Sequence, residues 1–294
     1  MNIAIYGRSF GNSFTGMAIQ LFEELKNYGV KLFINDNFYT FLKNNISYNL
    51  SSAIIYKNDN FPKDEKIDFL LSIGGDGTFL ESACIVGRLD IPILGINTGR
   101  LGFLSYVNSK NLIISIRQLF ENNFQIDQRM MLDVYATNNF YENNNLCLNE
   151  FTVQKKEKSS MIKTKIYADN NLITTYRSDG VIISTPTGST AYSLSCGGPI
   201  VVPHSDVFLI TAIANHNLTV RPLVISSNTE LKIILDSNSD NLLLSMDYRS
   251  YDVKNLKEIF IKKSKYNIKF VNLFENYYFR TLSEKLFWGA DYRN

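Results

Sequence analysis

The stretch Asp68–Leu80 constrains this chain more than any other. An apolar run through Ile73 stops at Gly74-Gly75-Asp76-Gly77, and Thr78-Phe79-Leu80 then begins a helical pattern. Run, glycine turn and helix in that order read as a buried strand feeding the helix of an α/β unit. Glycine has no Cβ, so a ligand can come close to the main chain at Gly74, Gly75 and Gly77. The N–H groups opening the next helix, near Thr78, are unpaired and lie at the positive end of its dipole, which suits phosphate. A single carboxylate in that bend is placed to meet both the phosphate and an approaching hydroxyl. The stretch reads as a phosphoryl-transfer centre with Asp76 as its catalytic group. The local alternative is a tight turn in which Asp76 only caps the helix.

The neighbouring sequence supports an α/β unit. Strand patterns at 2–6, 30–34, 53–56, 68–73 and 91–96 alternate with helical ones at 14–28, 38–46 and 78–86, with Gly29 and Gly87 at helix ends. Such alternation implies a parallel sheet with right-handed crossovers. Ligands on these sheets bind at the carboxyl ends of the strands, where Gly74–Thr78 falls. Arg8, with Gly7 and Gly11 after the first strand, is a second phosphate candidate or a plain turn. In Asn97-Thr98-Gly99-Arg100-Leu101-Gly102-Phe103-Leu104, Phe103 beside glycines is either core or a stacking surface for a base. A helix at 112–120 follows, with Ser109 as its expected cap.

From Gln125 the pattern changes to short β-branched runs: 132–137, 146–153, 163–167, 172–176, 181–184, 208–214, 223–226, 231–235 and 242–246. That spacing predicts a β-sandwich-like domain. The expected organisation is an α/β domain over 1–126 and a β-rich domain over 127–269. The less patterned segment 270–294 is expected to return to the first.

Three polar clusters interrupt the β region. Asn149-Glu150 pairs an amide with a carboxylate and could grip a vicinal diol, or be an edge turn facing solvent. Arg177-Ser178-Asp179-Gly180 leads into Ser184–Pro199, where eight of sixteen residues carry hydroxyls and three are glycine. This run, containing Thr187, Thr190, Ala191, Tyr192 and Ser195, is expected to be a hydroxyl-lined loop outside the core, opening a helix at Thr190; a linker is the competing reading. His216-Asn217-Leu218-Thr219-Val220-Arg221 holds one of two histidines, and a lone histidine suits either structure or catalysis.

Composition narrows the class. A net charge of +2 and a pI near 8.2 are too mild for a nucleic-acid groove or an anionic membrane surface. The longest apolar stretch, 207–214, is far short of a membrane span. Cys84, Cys147 and Cys196 lack zinc or redox spacing, no His/Cys/Asp set has metal-ligand spacing, and the first residues lack a basic leader. The expectation is a soluble cytoplasmic protein with no resident metal.

Gly74-Gly75-Asp76-Gly77-Thr78 resembles a motif shared by NAD kinases, diacylglycerol and sphingosine kinases and 6-phosphofructokinases. The run 97–104, Asn149-Glu150, Arg177–Gly180, Ser184–Pro199 and 216–224 are similar, in order and spacing, to NAD kinases in particular. That resemblance implies a Rossmann-like α/β domain with a parallel sheet, a mainly-β, β-sandwich-like C-terminal domain, and an active site in the cleft between them. It implies ATP (in some members polyphosphate) with Mg²⁺, NAD as acceptor, and a homodimer or homotetramer. By it, Asp76 is the base or orienter for the adenosine 2′-hydroxyl, and Phe103 lies against adenine. Asn149 and Glu150 hold ribose hydroxyls, Asp179, Thr187, Thr190, Ala191 and Tyr192 line the dinucleotide pocket, and His216 approaches substrate. Arg177 and Ser195 lie within the matching runs and are counted with the binding residues. Two positions depart from the pattern: Asn215 stands where many relatives have proline, and Asp247-Tyr248-Arg249 where an Asp-Gly-Gln turn is common. The rival readings are a diacylglycerol-type lipid kinase, which would need an acyl channel at Thr185–Tyr192, and a non-catalytic dinucleotide sensor.

Overall fold

The computed structural model describes residues 1–99, 102–136, 140–141, 144–156, 161–235, 241–273 and 277–287. Its contacts divide it into two compact units, one of Met1–Gln128 together with the chain from Ile268, the other of Arg129–Asn267.

The first unit alternates strand and helix: β1 (Asn2–Gly7), α1 (Thr15–Asn27), β2 (Lys31–Asn35), α2 (Asp36–Asn45), β3 (Ile54–Tyr56), β4 (Phe69–Gly74), α3 (Asp76–Val86), β5 (Ile93–Asn97) and α4 (Leu112–Phe120). The strands lie in the order β5-β4-β1-β2-β3, all parallel. Side chains on a strand alternate between faces, so one β4 strand serves two layers. Phe69, Leu71 and Ile73 pack with Leu21 and Leu25 of α1, Phe38 and Leu42 of α2 and Ile116 and Leu119 of α4. On the other face Ser72 Oγ meets Ser82 Oγ of α3 at 2.9 Å. Helices therefore cover both faces, and α3 is directed by β4 through the single residue Gly75. Gly29 takes a left-handed φ of +64° after α1, as a residue beyond a helix end often does. The cap of α4 differs from expectation: it is Asn111, not Ser109, and the Asn111 side chain accepts the Asn108 N–H at 2.7 Å.

The second unit begins within β6 (Gln125–Ala136) and continues through β7 (Leu146–Cys147), β8 (Glu150–Lys155), β9 (Ile162–Ala168), β10 (Asn171–Ser178), β11 (Gly180–Ser184), α5 (Tyr192–Ser195), β12 (Val207–Ile213), β13 (Leu223–Ser226), β14 (Leu231–Leu235), β15 (Leu242–Met246), β16 (Arg249–Val253) and β17 (Glu258–Asn272). One antiparallel sheet runs β13-β12-β11-β8-β15-β16, and β10-β9-β14-β17 forms a second. Phe151, Ile183, Phe208 and Met246 from the first pack with Ile166, Ile233 and Ile259 from the second. The unit is a sandwich. Each of those fully buried aliphatic or aromatic side chains stabilises it by about 1.5–3 kcal/mol. The expected strand 146–153 is broken at Leu148-Asn149, and Thr137, the end of another, lies outside the described residues.

Strand β17 carries the chain back to the first unit. Phe270 pairs with Ile93 of β5, its ring lies 4.5 Å from Phe79, and the Tyr106 hydroxyl donates to the Val271 carbonyl. Helix α6 (Tyr277–Leu286) follows, and residues 288–294 lie outside the described residues. No helix among the described residues is long and apolar enough to cross a membrane.

Candidate active site

Strand β4 ends at Gly74 because nothing larger fits: a Cβ there would lie 2.2 Å from Thr78 Oγ1. Gly75 caps α3, and Asp76 is the first residue of the helix rather than its cap. The Asp76 carboxylate instead reaches across to the loop after β5. Its Oδ2 accepts the Phe103 N–H at 2.7 Å, and its Oδ1 accepts those of Leu104 at 3.0 Å and Ser105 at 3.2 Å. Gly102 is held to glycine by the same contact, since a Cβ there would sit 1.8 Å from Oδ1. The expected stacking loop is thus tied to the expected catalytic acid, with the Phe103 ring half-buried. Arg100 and Leu101 of that loop lie outside the described residues.

Arg8 is close to this helix but already engaged. Its Nε and terminal nitrogen meet both Glu81 oxygens, at 2.9 and 2.5 Å, while its side chain stays 63% exposed. Tyr6 donates to the same carboxylate at 2.8 Å. Burial first, then Glu81, pushes the Tyr6 phenol up to about 12. Sequence reading missed Glu81 and Tyr6, which no local motif marks.

In the second unit, Leu148-Asn149-Glu150 crosses from β7 to β8 with its main chain fully used. The three N–H groups donate to the Asp247 carboxylate, at 2.8, 2.7 and 3.2 Å. The Leu148 carbonyl accepts from Thr185 Oγ1 at 2.6 Å, that of Asn149 from the Thr185 N–H at 2.9 Å, and that of Glu150 from the Asp247 N–H at 3.0 Å. Gly188 lies against this bend, where a Cβ would come within 2.2 Å of the Asn149 oxygen. The side chains are left over: Asn149 Oδ1 and Glu150 Oε2 are buried and have no hydrogen-bond partner. A buried unpaired polar atom costs about 1–3 kcal/mol, so two side by side point to a ligand that would satisfy them. Burial, then the charge of Asp247, raises the Glu150 carboxyl to about 8, opposed by a hydrogen bond from the Tyr192 main chain. Burial likewise raises Asp247, opposed by its three N–H bonds and by Arg249.

The Ser/Thr-rich run corrects its expectation. Ser184, Thr185, Thr187, Ser189 and Ser193 are buried, not loop lining. The Ser189 hydroxyl serves main-chain groups, its Oγ both donating to the Val201 carbonyl and accepting the Val201 N–H, while Ser193 Oγ pairs with Thr211 Oγ1 at 2.9 Å. A short 3₁₀ turn at Thr187–Thr190 precedes α5, so the helix opens at Tyr192 rather than Thr190. Thr187 Oγ1 receives the Arg129 guanidinium at 3.4 Å. Thr190 and Ala191 are half-buried, and Tyr192 and Ser195 are exposed.

Of the remaining candidates, Asp179 is paired with Lys155 at 2.8 Å. Exposed Arg177 and His216 are neighbours through the His216 N–H and the Arg177 carbonyl, 3.0 Å apart. Asn215, the first departure, donates from Nδ2 to the Asn217 carbonyl at 2.6 Å. Among the described residues no group of three or more His, Cys, Asp or Glu could hold a metal ion.

A parallel sheet ending in a glycine-bounded acid, and a sandwich carrying an unsatisfied amide–carboxyl pair, describe a two-unit nucleotide-handling protein. The comparisons sharpen this. Residues 8–124 match the family model described as ATP-NAD kinase N-terminal domain, and 148–273 that described as ATP-NAD kinase C-terminal domain. The NAD kinase of Bacteroides fragilis is 40% identical over 293 residues, and that of Flavobacterium psychrophilum 39% over 298, each covering both chains completely. The chain belongs to the NAD kinase family. Among solved structures, an NAD kinase from Archaeoglobus fulgidus in complex with ATP superposes with a TM-score of 0.75 at 25% identity, over 97% of this chain and 98% of its own. Yeast NADH kinase complexed with NADH shares the fold, with a TM-score of 0.86 at 24% identity over 100% of this chain and 89% of its own.

Proposed function

We propose that this chain transfers the γ-phosphoryl group of ATP to the 2′-hydroxyl of the adenosine ribose of NAD, making NADP. The observation that carries the site is the Asp76 carboxylate, held by three main-chain N–H groups at the start of α3. A carboxylate offers about four lone-pair positions. Three are occupied, and the one open on Oδ2 is where the 2′-hydroxyl would donate. Because phosphoryl transfer proceeds through a loose transition state, the hydroxyl needs little early deprotonation, and Asp76 orients it more than it strips it. The unpaired N–H groups of Gly77 and Thr78 would face the donor phosphates, with Gly74 and Gly75 leaving room for them.

Asn149 and Glu150 would take the ribose diol on their two unsatisfied oxygens, the protonated Glu150 donating and Asn149 Oδ1 accepting. Phe103 would lie against adenine. Thr187, Thr190, Ala191, Tyr192 and Ser195 would bound the dinucleotide, with Tyr192 and Ser195 as the exposed members. Arg177, Asp179 and His216 would lie toward its outer end, and Arg8 toward phosphate, its one paired edge supplied by Glu81. Mg²⁺ would arrive on the triphosphate, neutralising its charge, because no protein cluster among the described residues is built to hold it. We place the enzyme in the cytoplasm as a homodimer or homotetramer.

The test is production of NADP from NAD and ATP-Mg²⁺, read by an NADP-specific dehydrogenase, beside Asp76→Asn. The expected result is turnover by the wild type and a kcat lower by about 10²–10⁴-fold in the variant. Light scattering of the purified chain tests the oligomer.

A further inference from the structure

Asp247 falls at the turn between β15 and β16, just before Tyr248-Arg249, where the sequence departs from the resembled Asp-Gly-Gln pattern, and has a φ of +53°. Strand β15 pairs with β8 so that Met246 faces Phe151, which brings Asp247 alongside Glu150 at the mouth of β8. From there its two oxygens collect all three N–H groups of Leu148–Glu150, and its own N–H returns to the Glu150 carbonyl. Arg249 braces the same turn from behind: its guanidinium donates to the carbonyls of Asn144, at 2.6 Å, of Leu146, and of Met246, at 3.3 Å. Two strand ends, β7 and β15, are thereby clamped around a bend whose three N–H groups are all taken by one side chain.

We propose that Asp247 is a positioning residue for the acceptor substrate, fixing the bend Leu148–Glu150 so that the Asn149 amide oxygen and the Glu150 carboxyl present themselves together to the sugar hydroxyls. This rests on the reading of that pair as the ribose grip. A main chain with every N–H and carbonyl satisfied has one conformation, and its two side chains leave it in fixed directions. Without the acid, three buried N–H groups lose their acceptor at once, and the bend relaxes toward other partners. A misplacement of about 1 Å at a substrate-positioning group can cost up to about 10²-fold.

The experiment is steady-state kinetics of the full chain carrying Asp247→Asn, Asp247→Gly or Asn149→Ala. Glycine accepts φ of +53° without strain, so Asp247→Gly removes the carboxylate and leaves the turn its shape. Both Asp247 variants should raise KM for NAD about 10-fold or more and leave KM for ATP within about twofold. Added formate, seated in the vacated space, should restore NAD affinity to Asp247→Gly and not to Asn149→Ala. An NAD KM within twofold of wild type in both Asp247 variants, with that of Asn149→Ala raised, overturns the positioning role alone. Equal rises for NAD and ATP that formate does not reverse also overturn it, since general loosening would then explain the loss. An unchanged NAD KM in Asn149→Ala overturns the ribose grip itself and the proposal with it.

Discussion

The two units solve one problem in the same way and use the answer differently. Each binds three consecutive main-chain N–H groups on a single aspartate: Phe103–Ser105 on Asp76, and Leu148–Glu150 on Asp247. Under the proposed function the first acid meets the reacting hydroxyl, and the loop is what it carries. In the second the acid is the proposed clamp, and the side chains of the bend are the proposed ribose grip. The difference follows from the surroundings. Asp76 opens a helix between glycines, where main-chain N–H groups favour an anionic partner beside it. Asp247 turns between two strands with Arg249 at its side, and its neighbour Glu150 keeps one buried oxygen without a hydrogen-bond partner. Both carboxylates accept one N–H on Oδ2 and two on Oδ1, so what separates them is their surroundings and not which lone pairs are taken.

Substitutions that break this comparison are ranked by how directly they touch the acid. The largest effect is expected at Asp76→Asn. Beyond the loss in kcat of about 10²–10⁴-fold, amide exchange at Phe103–Ser105 should quicken, because an amide side chain cannot accept all three N–H groups. If exchange quickened while kcat held, Asp76 would be a clamp like Asp247 and nothing more. Next is Gly102→Ala, which leaves the acid itself unchanged. Its methyl would sit 1.8 Å from Asp76 Oδ1, so kcat should fall about 10–10²-fold at a nearly unchanged melting temperature. A silent Gly102→Ala would show that the loop adjusts without moving the acid.

A subtler contrast is expected from pH. Glu150 is raised by burial and by Asp247 to about 8, against about 4.3 in the unfolded chain, and Tyr192 and Cys196 are the other titratable groups coupled to it. The folded state therefore binds more protons than the unfolded one between those values, and stability falls as pH rises through them. Wild-type melting temperature should decline from pH 5 to pH 8.5, and Glu150→Gln should flatten that slope. A slope unchanged by Glu150→Gln would assign it to other groups. The smallest effect is expected at Arg8→Ala. Its exposed pair with Glu81 should contribute about 0–1 kcal/mol to stability, so urea midpoints should barely move, whereas a raised KM for ATP would mark Arg8 as a phosphate contact.

Much of this fold is legible along the chain. The alternation of strands and helices to Phe120, and the short strands after Gln125, follow local periodicities that burial of one face imposes. The glycine turn around Asp76 is legible for the same reason, since strand, turn and helix are contiguous. Strand β17 was not, because lysines and Ser264 interrupt its apolar alternation between Ile261 and Ile268. The Ser/Thr run misled for a physical reason too. Hydroxyls suggest solvent, yet five of them turn inward, and those of Ser184, Thr185 and Ser189 serve main-chain groups. Asp247 matches the first position of the Asp-Gly-Gln pattern from which Tyr248 and Arg249 depart, with nothing near it in sequence to show what it holds.

By itself the sequence determined where most of the strands and the α/β unit's helices form, which acid sits in the glycine bend, and that an amide and a carboxyl stand side by side at 149–150. Only the tertiary structure decided what those acids hold. Asp76 meets N–H groups 27 to 29 residues away, and Asp247 meets others 97 to 99 residues away. Periodicity is a property of neighbours and records burial. A hydrogen bond between distant main-chain groups depends on sheet register and loop path, which exist only once the chain has folded.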